Sequence, residues 1–351
     1  MIVSGLVKSK KHLNYWVLLS LTVILCFVLL ISLTKGAYSL DLSEVIAIIS
    51  NSIGFDLSGF ESRSAGVLLQ IRLPRILLGV LVGGGLGIAG AALQGLFRNP
   101  LVEPGLIGVS SGSALFAVIF LVLLPGIVGT VPLLADFGLP MFAFFGGLLH
   151  VLAVYYLGTG NGGGNTATII LAGVAINAMA GALIGLTLFY ADDAALRSFT
   201  FWSLGDLSGA SWQKLPIAAI FICIPSLLLM RGAKNLNAMA LGEKEAFYMG
   251  VNVKQTKVIL LVATALIVGV AVSLSGMIGF VGLIVPHLMR ICFGADHKLV
   301  LPGSFLLGAI LLNFSDLLAR TIAIPTEMPI GVITSLLGAP FFMGLIYNLK
   351  K

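Results

Sequence analysis

Apolar runs long enough to cross a bilayer recur along this chain, separated by short polar intervals. A hydrocarbon core of about 30 Å needs roughly 20 helical residues. On that measure the pattern predicts ten spans, at about 14–33, 73–97, 106–124, 139–157, 167–190, 214–230, 258–275, 277–290, 299–320 and 329–349. The eighth is too short to cross as a straight isolated helix and carries Pro286, so it must be buried by other protein. Residues 1–13 form a basic tail. The run behind it is too long for a signal-peptide core and lacks a small-residue cleavage site, so it is read as the first span. Residues 35–70 read as a polar extramembrane segment, and 158–165 (GTGNGGGN) as an uncharged, flexible turn. In 191–212, Asp192 and Asp193 suit a helix start and Phe199, Phe201, Trp202 and Trp212 a membrane interface, predicting a short surface helix.

The chain is organised around the second span. Gly79, Gly83, Gly87, Ala91 and Gly95 recur at every fourth position, which places them on one stripe of a helix where neighbouring backbones can approach closely. Such a helix belongs in the middle of a bundle. Gly85, Gly87 and Gly90 also match G-x-G-x-x-G, but a dinucleotide site needs a preceding strand and a later acidic residue. Within an uncharged apolar span these glycines are read as packing surfaces.

Composition fixes the class. Hydrophobic residues make up 58% of the 351 and charged residues 10%, against about 25% charged in ordinary soluble domains. The expected fold class is therefore an all-α polytopic membrane protein with a single transmembrane domain over 1–351. It comprises the tail 1–13, spans one to six over 14–230, a charged segment 231–257 and spans seven to ten over 258–351. Of the 20 Lys and Arg, 13 fall on the side of the two termini and 7 opposite, so the positive-inside rule puts both termini in the cytoplasm. Cys26, Cys223 and Cys292 have no paired spacing and are read as small core residues, neither disulfides nor metal ligands.

Arg72, Arg75 and Arg320 then lie at the outer ends of spans two and nine, on an otherwise acidic face. They either snorkel to lipid phosphates or receive carboxylates from a docking partner, since a guanidinium fork matches a carboxylate in two places. Position at the mouth of a central helix favours docking. Asp316 is the one acid inside an apolar stretch, and Arg320 four residues on makes an i,i+4 pair the simplest account. His150 with Tyr155 and Tyr156 are read as packing or belt residues rather than substrate contacts. His287 lacks a second ligand at metal spacing and is read as making a structural hydrogen bond.

RLPR, the glycine-rich helix and GLFRNPLVEPGLIGVSSGSA, followed by TIILAGVAINAMAGALIG, FWSLGDLSGASW, GFVGLIVPHLMR and EMPIGVITSLLGAPFF, resemble the FecCD family over nearly the whole chain. These are the permease subunits of type II ABC importers for iron–siderophores, heme and vitamin B12, and the resemblance implies a vitamin B12-importer-permease-like fold. It also implies that Arg72, Arg75 and Arg320 receive glutamates of a periplasmic or lipid-anchored binding protein, and that Asn99 and Leu101 form a cytoplasmic gate. Thr166 matches a second gate position, where Ala167 departs from the family's paired hydroxyls. Leu241, Gly242, Glu243, Ala246, Met249 and Gly250 fall in the segment that couples to the ATPase.

No G-x-x-x-x-G-K-[ST] occurs, so the chain has no P-loop of its own. The expected assembly is a homodimer with two P-loop ATPase subunits that use ATP and Mg, and one binding protein. It sits in the bacterial cytoplasmic (inner) membrane among lipids, with no metal or cofactor on this chain and no nucleic-acid partner. The motifs look most like the heme branch, with ferric siderophore or vitamin B12 as the alternatives. A secondary transporter would need intramembrane ionisable residues and an internal repeat, and a membrane enzyme would need clustered His, Asp or Cys. The sequence supplies neither.

Overall fold

The computed structural model describes residues 2–55, 59–128, 132–159 and 166–349. Among these the regular structure is helical. In order come α1 (Ile2–Thr34), α2 (Leu42–Ser52) and α3 (Ser62–Gly66). A π-helical turn at Val67–Arg72 then leads into α4 (Leu73–Phe97). A 3₁₀ turn at Pro104–Ile107 precedes α5 (Val109–Leu123), α6 (Pro125–Val128), α7 (Pro132–Thr159), α8 (Thr166–Phe189) and α9 (Asp193–Ser203). The remainder is α10 (Leu215–Arg231), α11 (Ala233–Leu241), α12 (Glu243–Tyr248), α13 (Val253–Ser275), α14 (Val281–Phe293), α15 (His297–Ile322) and α16 (Ile330–Leu349). A helix overlaps each of the ten stretches read as spans. Among the described residues six stretches are long and apolar enough to cross a membrane alone, and α10 with α11 forms a seventh bent by 49°.

α4 occupies the centre, with 20 of its 25 residues buried. The four-residue glycine stripe lies along α15: a Cβ on Gly83 would overlap the Gly308 carbonyl, one on Gly87 the Ser304 carbonyl, and one on Gly95 the His297 ring. At Gly79 a Cβ would lie 2.8 Å from Asn313 Oδ1. The other glycines of the G-x-G-x-x-G match serve α4's remaining faces. Gly85 meets Ile267 of α13 and Ile222 of α10, and Gly90 meets the Gly282 carbonyl of α14. Packing, not nucleotide binding, accounts for the whole match.

Three expectations need correction. The second span does not begin at Leu73: the helix is continuous from Ser62, and 62–97 forms one 36-residue stretch. Pro74 lacks the N–H of a helical turn and its ring crowds the carbonyl four residues back. The widened turn at Val67–Arg72, with Leu73 N–H bonding the Leu68 carbonyl five residues back, accommodates it without a break. Helix also extends into the segment read as 231–257, because α13 starts at Val253, where the Asn252 side chain accepts the Gln255 N–H. Finally, Cys26 and Cys292 are exposed and Cys223 is half-buried. That exposure shows that these residues are not core, and a small, weakly polar thiol is tolerated there at little cost.

The surface helix forms as expected: Asp192 caps α9 by accepting the Ala195 N–H. α14 is short, and its N-terminus lies inside the protein at Phe280, in a left-handed conformation with φ 68°. Glu103 Oε1 accepts the Phe280 N–H at 3.4 Å, one of the donors a helix start leaves unpaired. Gln94 donates to the Gly282 and Leu283 carbonyls at 3.4 and 3.2 Å and ties the same turn to α4.

Candidate functional site

Two opposite ends of the bundle carry the chemistry. At one end the π turn and the first turn of α4 bring Arg72 and Arg75 beside Arg320, near the end of α15. All three are buried rather than displayed at a mouth. Arg75 Nε and Nη2 both lie 2.9 Å from Asp316 Oδ1, and its Nη1 lies 2.8 Å from Glu327 Oε2. Arg320 Nε donates to Asp316 Oδ2 at 2.9 Å and its Nη2 to Ser32 Oγ at 2.6 Å. Arg72 donates to the backbone carbonyls of Leu33 and Tyr38.

The i,i+4 pair read from the sequence therefore forms, and Asp316 also bridges two helices through Arg75. The placement corrects the picture of three arginines at an open mouth, because ten helical residues stand before Arg72 and 35–41 folds over it. Three guanidiniums share two carboxylates, which leaves one positive charge in excess. They line a cavity of about 190 Å³ with Gly36, Tyr38 and Ile71. Glu327 has a side chain 46% exposed against 5% for Arg75, so it is the carboxylate on the water side. It also borders a larger cavity of about 460 Å³ with Asp206, Trp202 and Gly276.

Sequence reasoning missed Glu327. The signal was there, an acid in the EMP turn, but its partner Arg75 lies 252 residues away. The turn carrying Glu327 is pinned from both sides: Met328 N–H bonds the Ala319 carbonyl, and Ile330 and Gly331 N–H bond the Gly205 and Leu204 carbonyls.

At the opposite end α11 and α12 meet at Gly242, whose φ of 144° favours glycine and where a Cβ would overlap the Glu245 carboxylate. Gly250 closes α12 with φ 86°. Of the residues singled out there, Leu241 and Met249 are exposed while Ala246 is fully buried and anchors the helix. Glu243 pairs with Lys257 at 2.7 Å, fixing α12 to the start of α13. Phe247 and Tyr248, at 68% and 85% exposure, are the largest side chains offered outward and were missed. Both lie within the segment read as coupling to the ATPase, but nothing in the sequence marked them as its outward side chains.

Asn99 and Leu101 lie in the turn after α4, which Arg98 enters with φ 50°. Asn99 Oδ1 accepts the Leu101 N–H at 2.9 Å and Leu101 points outward. Thr166 opens α8, but its side chain and residues 160–165 lie outside the described residues. α8 is the least enclosed of the apolar helices: Leu171, Met179 and Leu186 are exposed, and Gly181 and Gly185 face open space. Asn177 ties it to the core, donating to the Gly105 carbonyl at 3.3 Å and accepting from Ser111.

His150 Nδ1 meets its own helix at the Gly146 carbonyl, which fits packing. His287 does not make the expected hydrogen bond. Its Nε2 is buried without a partner among the described residues, and the ring meets Phe341 of α16 edge-on at 6.1 Å. Among the described residues no group of three His, Cys, Asp or Glu is arranged to hold a metal ion.

Comparison with known proteins bears on the family and the fold. The FecCD transport family matches residues 24–348. A hemin transport system permease protein of Yersinia pestis is 46% identical over 288 residues, covering 81% of this chain and 84% of that protein. A cobalamin import system permease protein of Halobacterium salinarum is 41% identical over 288 residues, with 82% and 75% covered. A solved structure described as an inward-facing conformation of a metal-chelate type ABC transporter superposes with TM-score 0.81 at 32% identity. It covers 94% of this chain and 98% of that one.

Proposed function

This chain belongs to the FecCD transport family, and on that premise we propose that it carries heme across the bacterial cytoplasmic membrane as a homodimeric ABC importer permease. At the coarser level it is a multi-pass ABC permease of the class serving metal chelates, heme or vitamin B12. Hydrolysis of ATP with Mg belongs to a separate subunit.

One observation supports the assembly best: the chain's two ends offer complementary handles. Phe247, Tyr248 and Met249 stand outward on α12, where aromatic anchors suit a groove on a soluble partner. In the orientation drawn from the basic residues this end is cytoplasmic and the partner is the ATPase. The opposite end holds the pocket with surplus positive charge, into which a carboxylate of a binding protein would fit, since guanidiniums bind carboxylates with charge-assisted hydrogen bonds. The open face of α8, with Gly181 and Gly185, would border the translocation path or a second copy. Asn99, Leu101 and Thr166 would close the path on the ATPase side.

Heme is favoured over the alternatives by the higher identity to the hemin permease than to the cobalamin permease, 46% against 41%. The test is reconstitution in liposomes with the cognate ATPase and binding protein, measuring ATP-dependent uptake of heme, a ferric siderophore and cobalamin. Heme uptake alone supports the reading. Uptake of either other cargo keeps the architecture and moves the substrate. Uptake without ATP would return the chain to the secondary transporters.

A further inference from the structure

α2 has three distinct surroundings rather than two. At about 100° per residue, Ile48, Val45, Ile49, Leu42, Ile53 and Ile46 span an apolar arc of roughly 160°. Ser50, Ser43, Ala47, Asn51 and Glu44 fill the remainder, and Ser52, exposed at the helix end, is the one polar residue within the apolar arc. One edge of the apolar arc, Val45 and Ile48, is buried in a core shared with Leu29 and Leu33 of α1, Leu68 of the π turn and Ile76 of α4. The other edge is bare: Leu42, Ile46 and Ile53 are 53%, 54% and 71% exposed, and Phe55 continues it. Ser43 and Asn51 are exposed on the polar side.

The depth of this helix follows from its neighbours. Leu29 lies five residues inside the end of α1, about 7 Å along the axis, and Ile76 belongs to α4 proper. Helices that lie in a membrane interface bury their apolar face about 5–10 Å into the headgroup–acyl boundary. The spanning helix α1, which shares that core, likewise exposes large apolar side chains, Val23, Ile24, Phe27 and Leu30. Such a run of apolar side chains in water would be costly, at about 25 cal/mol per Å².

We propose that α2 is an interfacial helix in the leaflet at the arginine end. Leu42, Ile46 and Ile53 insert among phospholipid acyl chains, Val45 and Ile48 pack on the bundle, and Ser43 and Asn51 face water. The helix thereby fixes the 35–41 linker, whose Lys35 and Tyr38 carbonyls, with that of Leu33 at the end of α1, are acceptors for Arg72 and Arg320. The proposal needs only that the chain spans a bilayer and is independent of the cargo.

The test uses the full chain with Cys26, Cys223 and Cys292 replaced by Ser, carrying a single Ile46→Cys or Asn51→Cys labelled with an environment-sensitive fluorophore. It is reconstituted in phosphatidylcholine–phosphatidylglycerol vesicles without any partner. Lipids bearing a nitroxide near the top of the acyl chain should quench the probe at position 46 several-fold more than at 51, and aqueous iodide should show the reverse order. Leu42→Cys serves as a second membrane-edge site if Ile46→Cys disturbs folding. Iodide quenching at 46 equal to that at 51 would overturn the proposal by placing the face in water. Shielding of 46 from both quenchers would overturn it too, by showing that a second copy of the chain covers the face.

Discussion

Replacing Asp316 by Asn keeps the shape of the side chain and removes one charge that two buried guanidiniums share. Its oxygens lie 2.9 Å from Arg75 and from Arg320, with a side chain 1% exposed. Each unit-charge attraction at about 4 Å is worth roughly 4 kcal/mol at an effective dielectric near 20. Much of that is offset by desolvation. Removing one partner of a buried pair nonetheless costs about 3–5 kcal/mol, because the opposite charge stays buried without compensation. Asp316→Asn is thus expected to lower unfolding free energy by about 3–5 kcal/mol. Glu327→Gln, on the half-exposed side of the same Arg75, is expected to cost about 1 kcal/mol or less. Denaturant titration in mixed micelles, followed by Trp fluorescence, reads both. If the two substitutions cost the same, or Asp316→Asn costs less than about 1 kcal/mol as an exposed pair would, the cluster is hydrated and the reasoning from burial fails. A double variant, Asp316→Leu with Arg320→Met, should recover part of the loss.

Gly90→Ala places a Cβ on the Gly282 carbonyl, where backbone faces backbone, and should lower the yield of folded protein severely. Gly181→Ala meets nothing within 4 Å and should be neutral or stabilising by up to about 1 kcal/mol through helix propensity; parallel thermal scans of the two would expose an error in the packing scheme. Phe247→Ala with Tyr248→Ala should weaken ATPase association at least tenfold in a pull-down titration while leaving the unfolding midpoint unchanged. Asp296 caps α15, accepting from Lys298 N–H and Asn237. Burial pushes its carboxyl up, but these hydrogen bonds and Lys298 outweigh that and hold it below its usual 3.8. Its contribution is then present above 3.8 and lost as pH falls below that value. Asp296→Asn should abolish the extra acid sensitivity and cost about 0.5–1 kcal/mol at neutral pH.

The helices were legible because apolar run length and small-residue spacing are local signals. The stripe from Gly79 to Gly95 announced a close neighbour, although nothing in it named α15. The site was legible only in part. Arg72, Arg75 and Arg320 stood out as charges beside apolar runs, but their burial depends on residues 35–41 folding over them. The widened turn before Pro74 was hidden for a related reason: proline reads as a helix start, and only the space made by neighbouring elements lets a helix run through it. Phe247 and Tyr248 escaped notice because exposure of an aromatic is a property of the folded surface. His287 misled in the other direction, since its buried Nε2 has no partner among the described residues.

Where α4 and α15 touch, Gly83 and Gly87 meet Gly308 and Ser304 through main-chain atoms. A contact made of backbone has no rotamers to trade, so it cannot yield by the small side-chain adjustments through which most helix pairs slide. The pair acts as a keel, displaced as one piece or not at all. α8 is held instead by side chains: the amide of Asn177, Ala180, Ile184 and Leu188 against α5, and Ile169 and Ile176 beside Val154 of α7. Compliance in this bundle is distributed by glycine and asparagine as much as by any loop.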